Sequence, residues 1–214
     1  MTENFKISVP ETEGWIGKNP NNTFFSYQQT EYNNAIEKVN RFRTALDLGA
    51  NVGMMSYRMV KQFAFVHAFE PLFHEHVVKN VRSNNIQVHP YAVGAEEKTE
   101  TMRVGMYHSG GSNIVGDTIM DRRSAERNIS QTYQDVQVKT VDSYQFNNVD
   151  FIKIDVEEYE WYVLQGAAET IETYKPVVLI ELKRYNKHYN KILNFFNNYQ
   201  YKREILGELD SVFY

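Results

Sequence analysis

Thr44-Ala45-Leu46-Asp47-Leu48-Gly49-Ala50-Asn51-Val52-Gly53 is a short apolar run, broken by one acid and closed by two glycines, and it leads into Met54-Met55-Ser56-Tyr57-Arg58-Met59-Val60. This order predicts a buried strand, a tight turn and then an amphipathic helix. In α/β folds such a turn sits at the carboxyl end of the sheet, where nucleotide-like ligands bind. Gly49 and Gly53 let backbone approach a ligand and let the helix pack close to the strand, and Asn51 tolerates the positive φ that such a turn often needs.

The glycine order is not that of a dinucleotide site, because G-A-N-V-G lacks the G-x-G-x-x-G spacing that carries a pyrophosphate onto a helix N-terminus. Asp47 stands two residues before the first glycine. A carboxylate there repels a pyrophosphate but suits a ligand bearing an ammonium or a sulfonium, and S-adenosylmethionine carries both.

Outward from the turn, the chain alternates strands and helices. Toward the N-terminus, Tyr27–Val39 reads as a helix with Tyr32, Ala35, Ile36 and Val39 on one face, preceded by an irregular stretch broken by Pro10, Gly14, Gly17 and Pro20. Residues 1–40 are thus an N-terminal extension with a helix, and 41–214 form the main domain. Toward the C-terminus, Phe63–Phe69 is a second strand ended by Glu70-Pro71. Glu70 lies about twenty residues past Gly49, where a nucleoside site places an acid to take hydrogen bonds from both ribose hydroxyls. Residues 72–84 read as a helix with Phe73, Val77, Val78 and Val81 inward, and Ile86–Ala92 as a third strand. The result is β-α-β-α-β, half of a doubly wound sheet.

Thr99–Gly105 and Asp135–Thr140 alternate polar and apolar residues, as half-buried antiparallel strands do. Between them lies Tyr107-His108-Ser109-Gly110-Gly111-Ser112-Asn113, a polar glycine-containing loop suited to closing over a polar substrate. Val149–Val156 is a buried strand interrupted by Lys153 and ended by Asp155. Glu157, Glu158 and Glu160 then open a helix, and Pro176–Leu182 is a further core strand with Glu181 near its end. A helix over Asn186–Tyr199 and strands over Tyr201–Ile205 and Leu209–Tyr214 bring the main sheet to seven strands.

Composition narrows the function classes. Hydrophobic residues make up 42% and charged residues 23% of the 214, as in globular proteins, and the net charge of −4 does not suit a protein that grips a phosphate backbone. Nucleic acid is therefore not an expected partner. No apolar stretch has the length of a membrane span and no signal-peptide pattern opens the chain, so a cytoplasmic protein is expected. With no cysteine there is no disulfide, thiolate metal site or thiol nucleophile.

Taken in order, A-L-D-L-G-A-N-V-G, H-A-F-E-P, Y-A-V-G, G-G-S, D-F-I-K-I-D-V-E-x-Y-E and K-P-V-V-L-I-E resemble the FkbM family of S-adenosylmethionine-dependent methyltransferases, over roughly residues 43–182. The resemblance implies the class I methyltransferase (Rossmann-like) fold: a doubly wound, mostly parallel seven-stranded sheet with its last strand antiparallel and helices on both faces. It implies that Asp47, Gly49, Asn51 and Gly53 line the methionine and ribose part of the cofactor, that Glu70 with Pro71 holds the ribose, and that Tyr91 and Ala92 flank the adenine. Asp155 would face the methyl-transfer region, and the acceptor would be a hydroxyl of a sugar, glycan or related metabolite. Glu158 stands where the family commonly has glycine after K-I-D-V-E.

A sugar hydroxyl is a weak nucleophile, so a base is useful. Asp155 and Glu157 are the first candidates, from their place at a sheet tip, and His108 the next, from its loop; Ser112, Asn113 and Glu181 are candidates for holding the acceptor. Asp155 could instead bind the cofactor's methionine part. Asp155, Glu157 and Glu181 also offer the oxygen ligands that Mg²⁺ takes, but acids opening a helix account for two of them, so no metal is expected. Rival readings are an NAD-dependent oxidoreductase, against which the glycine order stands, an N-methylating member of the same fold, and a non-catalytic module that kept the fold.

Overall fold

The structure, a computed structural model, describes residues 6–11, 13, 14, 16–18, 20–105, 109–116 and 132–214. His108, expected as a candidate base, lies outside the described residues. In chain order the strands are β1 (Thr44–Leu48), β2 (Phe65–Phe69), β3 (Ile86–His89), β4 (Ala92–Val93), β5 (Lys98–Val104), β6 (Asn113–Ile114), β7 (Thr132–Lys139), β8 (Val149–Ile154), β9 (Val177–Glu181), β10 (Arg203–Leu206) and β11 (Asp210–Phe213). The helices are α1 (Pro20–Ser26), α2 (Gln29–Ile36), α3 (Met54–Met59), α4 (His74–Asn80), α5 (Glu160–Gln165), α6 (Ala168–Tyr174) and α7 (Tyr189–Asn198).

Seven strands form the main sheet in the order β10-β11-β9-β8-β1-β2-β3. From β9 to β3 neighbours are parallel, and β11 runs antiparallel between β9 and β10. The expected doubly wound sheet with its last strand antiparallel is therefore present. Strand alternation sorts side chains to two helical layers. Leu46, Leu48, Ile152, Ile154, Val178 and Ile180 pack with Val163, Leu164, Ile171, Ile192 and Phe196 of α5, α6 and α7. Ala45, Phe151 and Leu179 pack on the other face with Tyr32 and Ala35 of α2 and Met55 and Met59 of α3. A second sheet, β4-β7-β5-β6, is inserted between β3 and β8, and β5 and β7 pair antiparallel from Lys98↔Val138 to Val104↔Thr132.

Two local expectations are corrected. The strand expected over Ile86–Ala92 divides at Pro90: β3 ends at His89, and Ala92–Val93 joins the second sheet beside β7. Proline has no N–H to give to a ladder, so the chain leaves the main sheet there. Val78, expected inward, is 57% exposed, whereas Val77 and Val81 are buried; one residue's step turns the side chain about 100° around a helix, away from the face those two share. Among the described residues no helix is long and apolar enough to cross a membrane.

Candidate active site

The tips of β1, β2, β8 and β9 surround a cavity of about 280 Å³. Its turn is built as the sequence predicts. Gly49, Asn51 and Gly53 have φ of 84°, 50° and 92°, and the Gly49 and Ala50 amides both donate to the Phe69 carbonyl at 3.0 Å, tying the turn to the end of β2. A Cβ on Gly49 would lie 1.9 Å from the Asp155 carbonyl oxygen, so only glycine lets the tips of β1 and β8 come this close. Gly49 and Asn51 line the cavity. Gly53 does not; it sits against Val77 and Val81, where its missing side chain lets α3 pack on α4.

Asp47 is also away from the cavity surface. It is fully buried, accepts a hydrogen bond from the Ser56 hydroxyl of α3 at 2.5 Å and lies 3.7 Å from the Lys153 ammonium. Lys153 in turn donates to the Gly49 carbonyl at 3.1 Å, so Asp47 acts on the turn through Lys153. Burial raises the Asp47 carboxyl above its ordinary value against the pull of Lys153 and Ser56.

Glu70 lines the cavity at the end of β2 with 7% exposure. Its Oε2 accepts from the Asn51 amide at 2.9 Å, and its Oε1 from the Leu72 and Phe73 amides at 2.8 and 3.0 Å. These bonds hold the turn and the chain after β2 in one frame, and of about four acceptor positions on a carboxylate they leave one open. Burial still raises its pKa, opposed by the three amides. Pro71, Phe73, Tyr91 and Ala92 continue the wall on this side. Tyr91 and Ala92 reach it because the chain departs from the main sheet at Pro90.

The second sheet supplies the facing wall through Met102 and Ile114, together with Ser109, Gly110 and Ser112. Ser112 accepts from the Gly105 amide at 3.0 Å and donates to the Ser109 carbonyl at 2.9 Å. Asn113 is fully buried and does not line the cavity; its Oδ1 accepts from Arg103 at 2.6 Å. Glu13, in the N-terminal extension, accepts from the Ser109 amide at 2.6 Å and the Ile16 amide at 3.1 Å, fastening that extension to the 109–112 turn.

At the remaining end of the cavity Asp155, Glu157 and Glu181 bring carboxylate oxygens within 4.8 Å of one another. Lys153 lies 3.3 Å from Asp155, and Lys183 lies 2.7 Å from Glu157 and 3.4 Å from Glu181. Each of the three thus already faces an ammonium. Burial, Asp155 and a hydrogen bond to it push the Glu181 carboxyl up to about 10. Burial also raises Glu157. On Asp155 burial pushes upward too, but Lys153, a hydrogen bond from Glu181 and Lys183 hold the carboxyl below its ordinary value. The turn carrying these acids is itself strained: Glu157 and Glu158 have φ of 49° and 73°, so the position where glycine is the common residue keeps the glycine-like backbone.

Three site residues escaped the sequence. Tyr27, between α1 and α2, lines the cavity and donates to Asp155 Oδ2 at 3.4 Å; Arg58 of α3 holds it there by donating to the Tyr27 and Phe25 carbonyls. No spacing rule marks it. Lys153 was the more legible, since a lysine inside the buried run V-D-F-I-K-I-D-V demands a buried acid, whereas Lys183, just after β9, had no such mark.

The residues present fit an adenosyl cofactor. The Asn51 Oδ1 atom is buried in the cavity wall with no hydrogen-bond partner among the described residues, so a polar atom there awaits a donor. Asn51 and Glu70 set polar groups beside the apolar and aromatic side chains of Phe69, Phe73 and Tyr91, the mix that a nucleoside's hydroxyls and flat base can use.

Comparison with known proteins agrees. The family profile described as Methyltransferase FkbM domain matches residues 47–203, well over half of the chain. No curated protein matches at a significant level. Among solved structures, methyltransferase FkbM from Methylobacillus flagellatus KT is similar, with a TM-score of 0.55 and 17% identity over 90% of this chain and 47% of that one. This chain thus spans about half the length of that relative. The precorrin-6y C5,15-methyltransferase of Geobacter metallireducens GS-15 has a TM-score of 0.50 and 9% identity, over 97% of this chain and 90% of its own. These two likenesses concern the fold, and the profile match fixes the family: the chain belongs to the FkbM methyltransferases.

Proposed function

We propose that this chain is an S-adenosylmethionine-dependent methyltransferase acting on a hydroxyl of a sugar, glycan or related metabolite. The observation that carries the reading is one continuous cavity that joins the Gly49 turn and Glu70 to the Asp155 cluster. When bound, the cofactor supplies a methyl group on a positively charged sulfur. Gly49, Asn51 and Glu70 would hold it, with Pro71, Tyr91 and Ala92 beside its adenosine part, while Asp47 and Gly53 set the turn from behind.

The chain's own contribution to rate is placement. Holding an acceptor oxygen in line can supply ~7 to 11 kcal/mol, and a positioned carboxylate a further ~100- to 10,000-fold. Asp155 is the better base: it lines the cavity and Lys153 keeps it ionised, whereas Glu157 is closely paired with Lys183. Glu181 and Ser112 line the cavity where an acceptor's hydroxyls would need partners, and Tyr27 orients the Asp155 carboxylate. A cavity end with three carboxylates disfavours a phosphate-rich acceptor, in line with the net charge of −4, and an amine acceptor is the second reading on that same ground.

Thermal shift with S-adenosylmethionine and S-adenosylhomocysteine tests the cofactor, since a ligand at 100 times its dissociation constant adds ~2.7 kcal/mol. Transfer of radiolabelled methyl to a panel of neutral oligosaccharides and amino sugars then tests the acceptor. A protein that neither ligand stabilises would sink the reading.

A further inference from the structure

The acidic end of the cavity holds more carboxylates than cations. Lys153 on β8 serves Asp47 and Asp155, and Lys183, after β9, serves Glu157 and Glu181, so two ammoniums face four carboxyls. Asp210 on β11 stands opposite Glu181 in the antiparallel register, and Glu31 on α2 adds a further negative charge beside Asp210. Tyr27, from the extension, brings a neutral hydroxyl.

The side chains of Asp47, Asp155 and Glu181 retain only 0, 13 and 10% of their exposure, and buried charge without a counter-charge costs several kcal/mol. The set therefore does not ionise fully by itself. Two carboxyls this close share a proton more readily than they carry two charges, as the low Asp155 and high Glu181 carboxyls reflect.

We propose that the Asp155–Glu181 pair reads the charge of the cofactor, holding one shared proton against a neutral thioether and giving it up when a sulfonium faces it. Resting on the methyltransferase reading of this cavity, the proposal gives the site a reason to grip the methyl donor and to release its spent, uncharged form. Selectivity of that sign comes from Glu181 as well as Asp155: Lys153 and Lys183 offset two of these four carboxyls, and one shared proton brings the excess down to a single negative charge.

The test is calorimetric titration of the full chain with S-adenosylmethionine and with S-adenosylhomocysteine at neutral pH, in two buffers of different ionisation enthalpy. Both ligands share the same amino and carboxyl groups, so the difference between them isolates the sulfonium. The expected result is about one more proton released per S-adenosylmethionine than per S-adenosylhomocysteine, and about tenfold tighter binding of the former. Glu181→Gln keeps a hydrogen-bond donor but cannot ionise; it should lose the proton difference and about tenfold in S-adenosylmethionine affinity while keeping that for S-adenosylhomocysteine. Equal proton release with both ligands in the unaltered protein overturns the proposal, whatever the variant does. Saturable Mg²⁺ binding that abolishes the difference overturns it as well, in favour of a divalent ion as the missing charge. Failure of both ligands to bind overturns the cofactor reading itself.

Discussion

Gly49→Ala is the sharpest test of how the site is built. The added Cβ would meet the Asp155 carbonyl oxygen at 1.9 Å and the Val156 Cγ1 at 3.3 Å, at a φ of +84° that L side chains rarely adopt. The backbone conformation alone costs ~1 to 2 kcal/mol. Relieving the clash requires the tips of β1 and β8 to part, an overpacking cost of ~1 to 3 kcal/mol. Parting them also weakens the Asp155 amide's bond to the Leu48 carbonyl at 3.1 Å and the Lys153 bond to the Gly49 carbonyl, at ~0.5 to 1.5 kcal/mol each. The sum is ~3 to 8 kcal/mol, a large share of a typical domain's ~5 to 15. Urea unfolding followed by circular dichroism reads it directly, with cofactor affinity measured alongside. A loss under ~1 kcal/mol with affinity intact would refute the reasoning, because the strands would then be free to part without penalty. Gly53→Ala meets Val81 Cγ2 at 2.9 Å and Val77 Cγ1 at 3.3 Å, side-chain ends that can yield, so its loss should be smaller and its effect on affinity slight.

Ser56→Ala leaves the buried Asp47 with no hydroxyl donor and should cost ~1.5 to 3 kcal/mol in the same urea assay, while Ser56→Thr should recover part of it. Glu158→Gly removes a left-handed non-glycine residue and should raise stability by ~1 kcal/mol; a melting temperature that falls would show that the Glu158 side chain matters more than the backbone. Burial raises Asp210 to about 7 and Glu160 to about 8, so each binds its proton more tightly folded than unfolded. Their contribution is complete below the ordinary carboxylate range and is lost as pH rises through about 7 to 8, whereas that of Asp155, held low, is lost as pH falls. The melting temperature should therefore drop between mildly acidic and alkaline pH. Asp210→Asn should flatten that drop by on the order of 2 to 4 kcal/mol, and an unchanged slope would show that Asp210 is ionised throughout.

The sheet was legible because its strands are buried on both faces and the turn after β1 needs glycine where the tips of β1 and β8 meet, at Gly49. Glu70 was legible for a related reason: a strand ended by Glu-Pro leaves an acid at the carboxyl tip of the sheet. What alternation could not say is whether a given face is covered. Asp47 and Lys153 share a face of the sheet, yet α3 closes over Asp47 through Ser56 while Lys153 remains in the cavity wall. Asn113 was lost in the same way, its loop position hiding an arginine that draws the side chain inward. Tyr27 was beyond reach, since its place depends on two carbonyl contacts with Arg58, made across the fold and encoded in no local pattern.

The strained turn at Glu157 and Glu158 has a consequence for how this sequence can drift. Neither residue prefers the backbone it adopts, so the turn's shape is specified from elsewhere: Lys183 holds the Glu157 carboxylate, and Asn186 holds Glu160, which in turn accepts from the Glu158 amide. The information for one corner of the site is thus written some 26 positions downstream of it. Chains that regain glycine at position 158 are freed from that dependence, and positions 183 and 186 should vary there; chains that keep a side chain at 158 should change 157 with 183 and 160 with 186 as matched pairs.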